Sequence, residues 1–296
     1  MKYKMSDLGY KCLKAVLFAV SLIPLEWGYM FAHFIYFLLV YVVRYRKKVI
    51  ESNLRMVFPA KTEAEISLIA KKYYRHLSEI FVELAYSLYI SEKEIKRRVR
   101  YTNPESVNKY YAEGRHIVGV TSHYANWEWG YGFQMFCNHK IMEVYKKMNN
   151  KIFNKLFYDI RSRFGGIPVE MSNLKPIVAE IRKHPALIYL VADQSPAGNN
   201  NTWYYTSFLG IDGTPVFTGP AKFAQRFNAA VVFVDMQKVK KGYYELTFVP
   251  ICDNPQEMSE NELTDRYLQH IEQVVYNKPE YWMWSHRRWK RRKITE

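Results

Sequence analysis

The sequence predicts an α/β protein: a mixed, mainly parallel central sheet flanked by helices, behind an apolar N-terminal helix that anchors to a membrane. Three observations predict it. From about residue 116, short apolar runs alternate with helical segments. Residues 62–90 carry apolar side chains at helical spacing. Residues 15–43 are nearly free of charge.

The apolar runs are His116–Thr121, Pro185–Ala192, Ala229–Asp235 and Tyr243–Val249. Each has the length of a buried strand. The last two flank the turn signal Lys240-Lys-Gly242 and read as a pair. Helical segments fall at about 127–136, 152–163, 173–183 and 217–227, with a final helix at about 259–276. Strands alternating with helices indicate a sheet with covered faces. In 62–90, Thr62 and Glu65 form a capping-box pattern, and Ile66, Ile69, Tyr73, Leu77, Ile80, Phe81 and Leu84 recur at helical spacing. Ser91 and Glu94 start a short helix that runs into Lys96, Arg97, Arg98 and Arg100. That basic run reads as a solvated face or a lipid contact.

Pro24 and Glu26 divide the N-terminal apolar stretch into helices at about 12–23 and 27–43. Lys and Arg flank both ends, so orientation is ambiguous by the positive-inside rule. A single span, an interfacial hairpin and a buried core helix all remain open, with membrane attachment preferred to the core helix. No small-residue cleavage site follows, which argues against a signal peptide.

The 296 residues include 43 Lys and Arg against 28 Asp and Glu, a formal charge of +15. Such a balance suits an anionic membrane, an acidic protein or nucleic acid. No nucleic-acid recognition motif accompanies it. Aromatic residues make up 17% of the chain, which suits apolar–polar boundaries. Cys12, Cys137 and Cys252 lie far apart, which excludes a disulfide framework. No His cluster has metal-ligand spacing, so no metal is expected.

The chemistry concentrates in Ser122-His-Tyr-Ala-Asn-Trp-Glu128. On one helix, His123 and Glu128 would stand about 140° apart and could not meet. If His123 lies in the turn after a strand and Asn126 caps the following helix, Glu128 can fold back to the imidazole. There it would fix the tautomer of a general base. Alone, this spacing is frequent by chance, and a turn His making local hydrogen bonds is the plain alternative.

The wider pattern resembles the lysophospholipid acyltransferase superfamily, and within it the bacterial lipid A biosynthesis (lauroyl/myristoyl) acyltransferases. Similar blocks occur in order at Asn53-Leu-Arg-Met-Val-Phe-Pro59, Glu83, Ser122–Glu128, Arg161-Ser-Arg-Phe-Gly-Gly166, Ala192-Asp-Gln194, Phe208-Leu-Gly210 with Thr214 to Ala221, and Tyr281–Lys290. They run from about residue 44 to 291; the first 43 residues match only as an apolar anchor. The resemblance implies a glycerolipid acyltransferase-like fold with an anchor at 1–48 and an acyltransferase domain at 49–296. It implies transfer of a fatty acyl chain from acyl carrier protein, or from coenzyme A, to a hydroxyl of a phosphorylated glycolipid, without a further cofactor. The expected location is the bacterial inner membrane, catalytic domain on the cytoplasmic side.

On this basis His123 and Glu128 are the expected catalytic pair. Arg161 and Arg163 are expected near the acceptor's phosphate, although a solvent-facing pair or an ion pair with Asp159 is equally compatible with the residues alone. Asp193 and Gln194, where a buried strand ends, are expected to support the site with Asn126, Asp193 lying within reach of a strand-end His; loop capping by Asp193 is the plain alternative. Gly198–Tyr205 reads as a loop over the site. Its Asn run departs from the family's versions and leaves the acceptor's identity open: a lysophospholipid, an aminolipid or another glycolipid. The basic aromatic tail, with Trp282, Trp284 and Trp289, is read as an interfacial or phosphate-contacting segment. A non-catalytic membrane-bound interaction protein on the same fold is the remaining reading.

Overall fold

A computed structural model of the chain describes residues 2–196 and 203–293. The N-terminal part comprises α1 (Lys2–Ser21), α2 (Leu25–Phe37) with a π-helical turn (Leu38–Val42), α3 (Lys47–Val57) and α4 (Glu63–Ser87). Then come α5 (Glu92–Arg98), β1 (Val99–Tyr101), α6 (Glu105–Ala112), β2 (Ile117–Thr121), a 3-10 helix (Trp127–Met135), β3 (Lys140–Tyr145) and α7 (Lys151–Ser162). The remainder is β4 (Ile167–Glu170), α8 (Lys175–Ile181), β5 (Ala186–Val191), β6 (Tyr204–Phe208), β7 (Ile211–Val216), α9 (Gly219–Phe227), β8 (Ala230–Lys240), β9 (Tyr243–Cys252) and α10 (Glu260–Asn277).

The four apolar runs form the neighbouring strands β9-β8-β2-β5 of a seven-stranded sheet ordered β1-β9-β8-β2-β5-β3-β4. Every neighbouring pair is parallel except β8–β9, which turns back through Gly242 at φ +69°. All five residues of β2 are buried. Such a strand, covered on both faces, needs a nearly continuous apolar run. Helix α4 has both halves of its capping box at Thr62 and Glu65.

Three strands of the sheet lacked this signal. β3 carries the buried Glu143, β4 contains Pro168 and pairs only with β3, and β1 is three residues long. Proline is tolerated there because β4 is an edge strand. The segment expected as an α-helix after Asn126 is a 3-10 helix instead. Gly130 and Gly132 weaken α-helical preference there, and a Cβ on Gly132 would stand 2.8 Å from Ile95. In the expected loop, Gly198–Thr202 lies outside the described residues, while Tyr204 and Tyr205 start the β6–β7 hairpin.

Helix α2 lies along α4. Leu25, Gly28, Tyr29 and Ala32 form its buried face. A Cβ at Gly28 would stand 2.8 Å from the Tyr86 hydroxyl, so glycine permits this approach. Trp27, Met30, Phe31 and Phe34 point outward and are 59–71% exposed. Polar contacts hold the first half of the helix and the turn that follows the apolar stretch. Glu26 pairs with Arg97 and Arg98, the Tyr29 hydroxyl donates to Glu83 (2.7 Å), and Arg46 donates to the Ser285 carbonyl (2.9 Å). The basic run at 96–100 is largely a solvated, ion-paired face, with Lys96, Arg97 and Arg100 exposed and Arg98 the exception. Lys96 and Arg100 pair with Glu92 and Glu245, and Arg98 is fully buried between Glu94 and Glu26.

Candidate active site

Strands β2 and β5 are paired in parallel with Thr121 opposite Val191. His123 and Asp193 each lie two residues past that pair, so the register alone sets them side by side. The His123 Nδ1 is 2.6 Å from Asp193 Oδ1, and the His123 backbone N–H donates to Asp193 Oδ2 (3.0 Å). The Trp282 indole donates to the same oxygen (2.7 Å). Burial alone would push the Asp193 carboxyl up. The neighbouring His123 and these donors outweigh it and hold the carboxyl below its ordinary value. Asp193 thus stays ionised and binds the Nδ1 proton, which leaves the Nε2 lone pair facing the cavity. The Gln194 amide nitrogen sits 3.1 Å from that Nε2.

The turn after His123 is held from two directions. The C-terminal segment runs antiparallel to it: Met283 N–H donates to His123 O (3.1 Å), and Ala125 N–H donates to Tyr281 O (3.0 Å). Ala125 has φ +51°, left-handed for a residue with a Cβ. That conformation costs about 1–2 kcal/mol and persists because its surroundings fix it. From the other side, α4 presents His76, Glu79, Glu83 and Ser87, a polar stripe spaced three, four and four residues apart. His76 Nε2 meets the Ala125 carbonyl (3.2 Å), and its Nδ1 accepts from the buried Lys238 (3.1 Å), itself paired with Glu79. Glu83 accepts from Asn126 (2.6 Å), Tyr29 (2.7 Å) and Tyr244 (2.7 Å). Ser87 accepts from the Trp129 indole (3.0 Å). Asn126 caps the 3-10 helix, its side-chain oxygen accepting from Trp129 N–H (3.2 Å).

Glu128 is not the imidazole's partner. Its carboxylate faces Arg161, with contacts at 2.8 and 3.3 Å, because the 3-10 geometry turns it toward α7 rather than back over the turn. Arg161 also meets Glu143 on β3 at 3.3 Å. Burial opposes the charge of Arg161, but the two carboxylates raise its pKa above the usual arginine value. Glu143 is pushed up to about 7 by burial and by Glu128, against the pull of Arg161. Arg163 donates to the Ser87 carbonyl (2.9 Å) and lies over Phe164. Arg161, held by two carboxylates, presents no free fork to a phosphate, and neither arginine pairs with Asp159, whose partner is Tyr10.

His123, Trp127, Glu128, Glu143, Arg161 and Gln194 line one cavity of about 590 Å³. Its apolar wall includes Val144, Met148, Phe157, Met171, Val191, Phe217 and Met283. This volume lies within the usual 300–1,000 Å³ of small-ligand sites. Among the described residues, no group of three His, Cys, Asp or Glu side chains is placed to hold a metal ion. A poised imidazole beside an apolar channel can deprotonate a hydroxyl next to a bound hydrocarbon chain.

The family model for bacterial lipid A biosynthesis acyltransferases matches residues 6–291. The chain belongs to that family. Among similar proteins are two from Escherichia coli (strain K12). The lipid A biosynthesis palmitoleoyltransferase is 21% identical over 85% of this chain and 81% of its own length. The lipid A biosynthesis lauroyltransferase is 24% identical over 83% and 80%. A lipid A biosynthesis acyltransferase of Haemophilus influenzae is 23% identical over 79% and 72%. The chain is an acyltransferase of lipid A biosynthesis, and the tryptophans of its C-terminal tail pack inside it. Trp282, Trp284 and Trp289 are at most 6% exposed, which corrects their reading as an interfacial segment. The sequence could not signal this, because tryptophans among basic residues look alike whether they serve a core or a membrane. His76, Glu79 and Lys238 carried no motif either. The helical spacing of His76, Glu79 and Glu83 was the available sign.

Proposed function

We propose that this acyltransferase moves a fatty acyl chain from a thioester, on acyl carrier protein or coenzyme A, to a hydroxyl of a phosphorylated lipid A precursor. His123 is the general base and Asp193 its orienting carboxylate. The observation that carries this reading is the 2.6 Å Asp193–His123 contact at the wall of a cavity with an apolar side. Nε2 takes the hydroxyl proton as the oxygen attacks the thioester carbonyl. Asp193 stabilises the imidazolium without taking the proton. Collapse of the tetrahedral adduct breaks the carbon–sulfur bond, and the imidazolium returns its proton to the departing sulfur. The products are an ester and a thiol. The Gln194 amide, displaced from Nε2 by the acceptor, supplies a hydrogen bond to the developing oxyanion. Glu128 acts at one remove as the partner of Arg161.

The exposed row Trp27, Met30, Phe31 and Phe34 supports docking on a membrane. The contacts of Glu26, Tyr29 and Arg46, before, in and after this apolar stretch, favour a helix lying in the interface over one crossing the bilayer. The basic balance fits an anionic, cytoplasmic face of the bacterial inner membrane. Purified protein given acyl carrier protein thioester and a tetraacylated lipid A precursor should yield a product heavier by one acyl chain in mass spectrometry. An acyl chain transferred only to lysophospholipid would overturn the choice of acceptor.

A further inference from the structure

We infer that Lys146, Lys290 and Arg291 form a phosphoryl-binding subsite at the mouth of the His123 cavity. The inference rests on the proposed reaction for its substrates but not for its geometry. Six side chains of opposite charge line the cavity besides its histidines: Glu128, Glu143, Arg161, Lys146, Lys290 and Arg291. The first three form a closed set, with Arg161 touching both carboxylates. A phosphate approaching Arg161 would have to sit beside two carboxylates or displace one of them.

The other three are not compensated. Lys146 and Lys290 are exposed and have no hydrogen-bond or ion-pair partner among the described residues. Arg291 donates one N–H to the Pro196 carbonyl and lies 5.0 Å over the Trp203 ring, and no carboxylate pairs with it among the described residues. Glu170, which pairs with Tyr145 at the end of β3, is held by Lys147 and Ser172. These cations come from two distant parts of the chain. Lys146 directly follows β3, two strands from β2 and so about 10 Å from its end. Lys290 and Arg291 follow the segment that pairs with the His123 turn. Lysine binds phosphate as a point charge and arginine as a planar fork, so the set suits a phosphate monoester or diester. His286, which lines the same cavity, is pushed down by burial to about 4 and adds no charge at neutral pH.

Two reactants could supply the phosphoryl group: the glycolipid acceptor, or the phosphopantetheine arm of the donor. The test compares wild type with a Lys146→Met/Lys290→Met/Arg291→Met variant of the full chain in detergent. Acceptors are the tetraacylated precursor and its dephosphorylated form; donors are acyl carrier protein thioester and phosphate-free acyl-pantetheine. A rise of at least tenfold in KM for the phosphorylated acceptor, with none for the dephosphorylated one, assigns the subsite to the acceptor. The same pattern confined to the phosphate-bearing donor assigns it to the donor. Changes under twofold throughout, or equal losses with phosphate-free reactants, overturn the subsite. Calorimetric titration with inorganic pyrophosphate decides independently of turnover. Wild type should bind it and the triple variant at least tenfold more weakly, while equal binding overturns the inference. If wild type transfers no acyl group, the proposed reaction fails and the titration still decides the subsite.

Discussion

Arg161 stands between Glu128 and Glu143, and the three side chains act as one unit. Removing the cation leaves two buried carboxylates facing each other. Breaking such a buried set costs about 3–5 kcal/mol. Arg161→Met should therefore lower the urea midpoint strongly at pH 7, and adding Glu143→Gln should restore much of the loss. A double variant no more stable than the single one would show that the carboxylates do not interact. At this scale the sequence disclosed the residues better than their partners. His123, Asp193, Gln194, Glu128 and Arg161 were all identifiable, and all line or adjoin one cavity. Asp193 could be placed within reach of His123, but that it and not Glu128 orients the imidazole was not legible. It depends on the register of β2 against β5 and on a 3-10 turn after Asn126, neither of which short-range periodicity encodes.

Helix α4 is the element that shapes the site. Its stripe of His76, Glu79, Glu83 and Ser87 fixes Ala125, Asn126 and Trp129 through buried hydrogen bonds. Leaving a buried donor unpaired costs about 1–3 kcal/mol. Glu83→Ala strands the hydroxyls of Tyr29 and Tyr244 and the amide of Asn126. It should lower thermal stability by several degrees and impair acyl transfer, whereas Glu83→Gln, which keeps a carbonyl oxygen, should do less on both counts. Equal effects of the two substitutions in a melting and activity series would argue against the hub. The helix and its capping box were plain from residues 62–90. The strands β1, β3 and β4 were not, because a buried glutamate, an edge proline and a three-residue length each mask the apolar run that betrays a central strand.

The whole molecule carries two buried imidazoles, His76 and His139, and, besides His123, three half-buried ones. Burial lowers the pKa of His76, His116, His139, His270 and His286, that of His139 to about 4. A depressed histidine is stabilising while neutral. Its contribution is complete above the unfolded value of about 6.5 and is lost as pH falls toward the folded value. For His139 alone the loss is roughly 3 kcal/mol. Thermal midpoints should thus decline between pH 6.5 and 4, ahead of most carboxylate titration. A flat profile across that window would contradict this. The same molecule presents an apolar row along α2. Phe31→Glu with Phe34→Glu should abolish flotation with anionic vesicles and leave the circular dichroism unchanged. Full flotation would place the membrane contact elsewhere.

The most direct test is a comparison of two carboxylates in acyl transfer. Asp193→Asn removes the charge that fixes the His123 tautomer and should cut kcat on the order of 10³–10⁴-fold. The KM values should change little. Glu128→Gln, which disturbs a neighbouring ion pair, should retain far more activity. Near wild-type turnover in Asp193→Asn, together with an inactive Glu128→Gln, would contradict the pairing of His123 with Asp193.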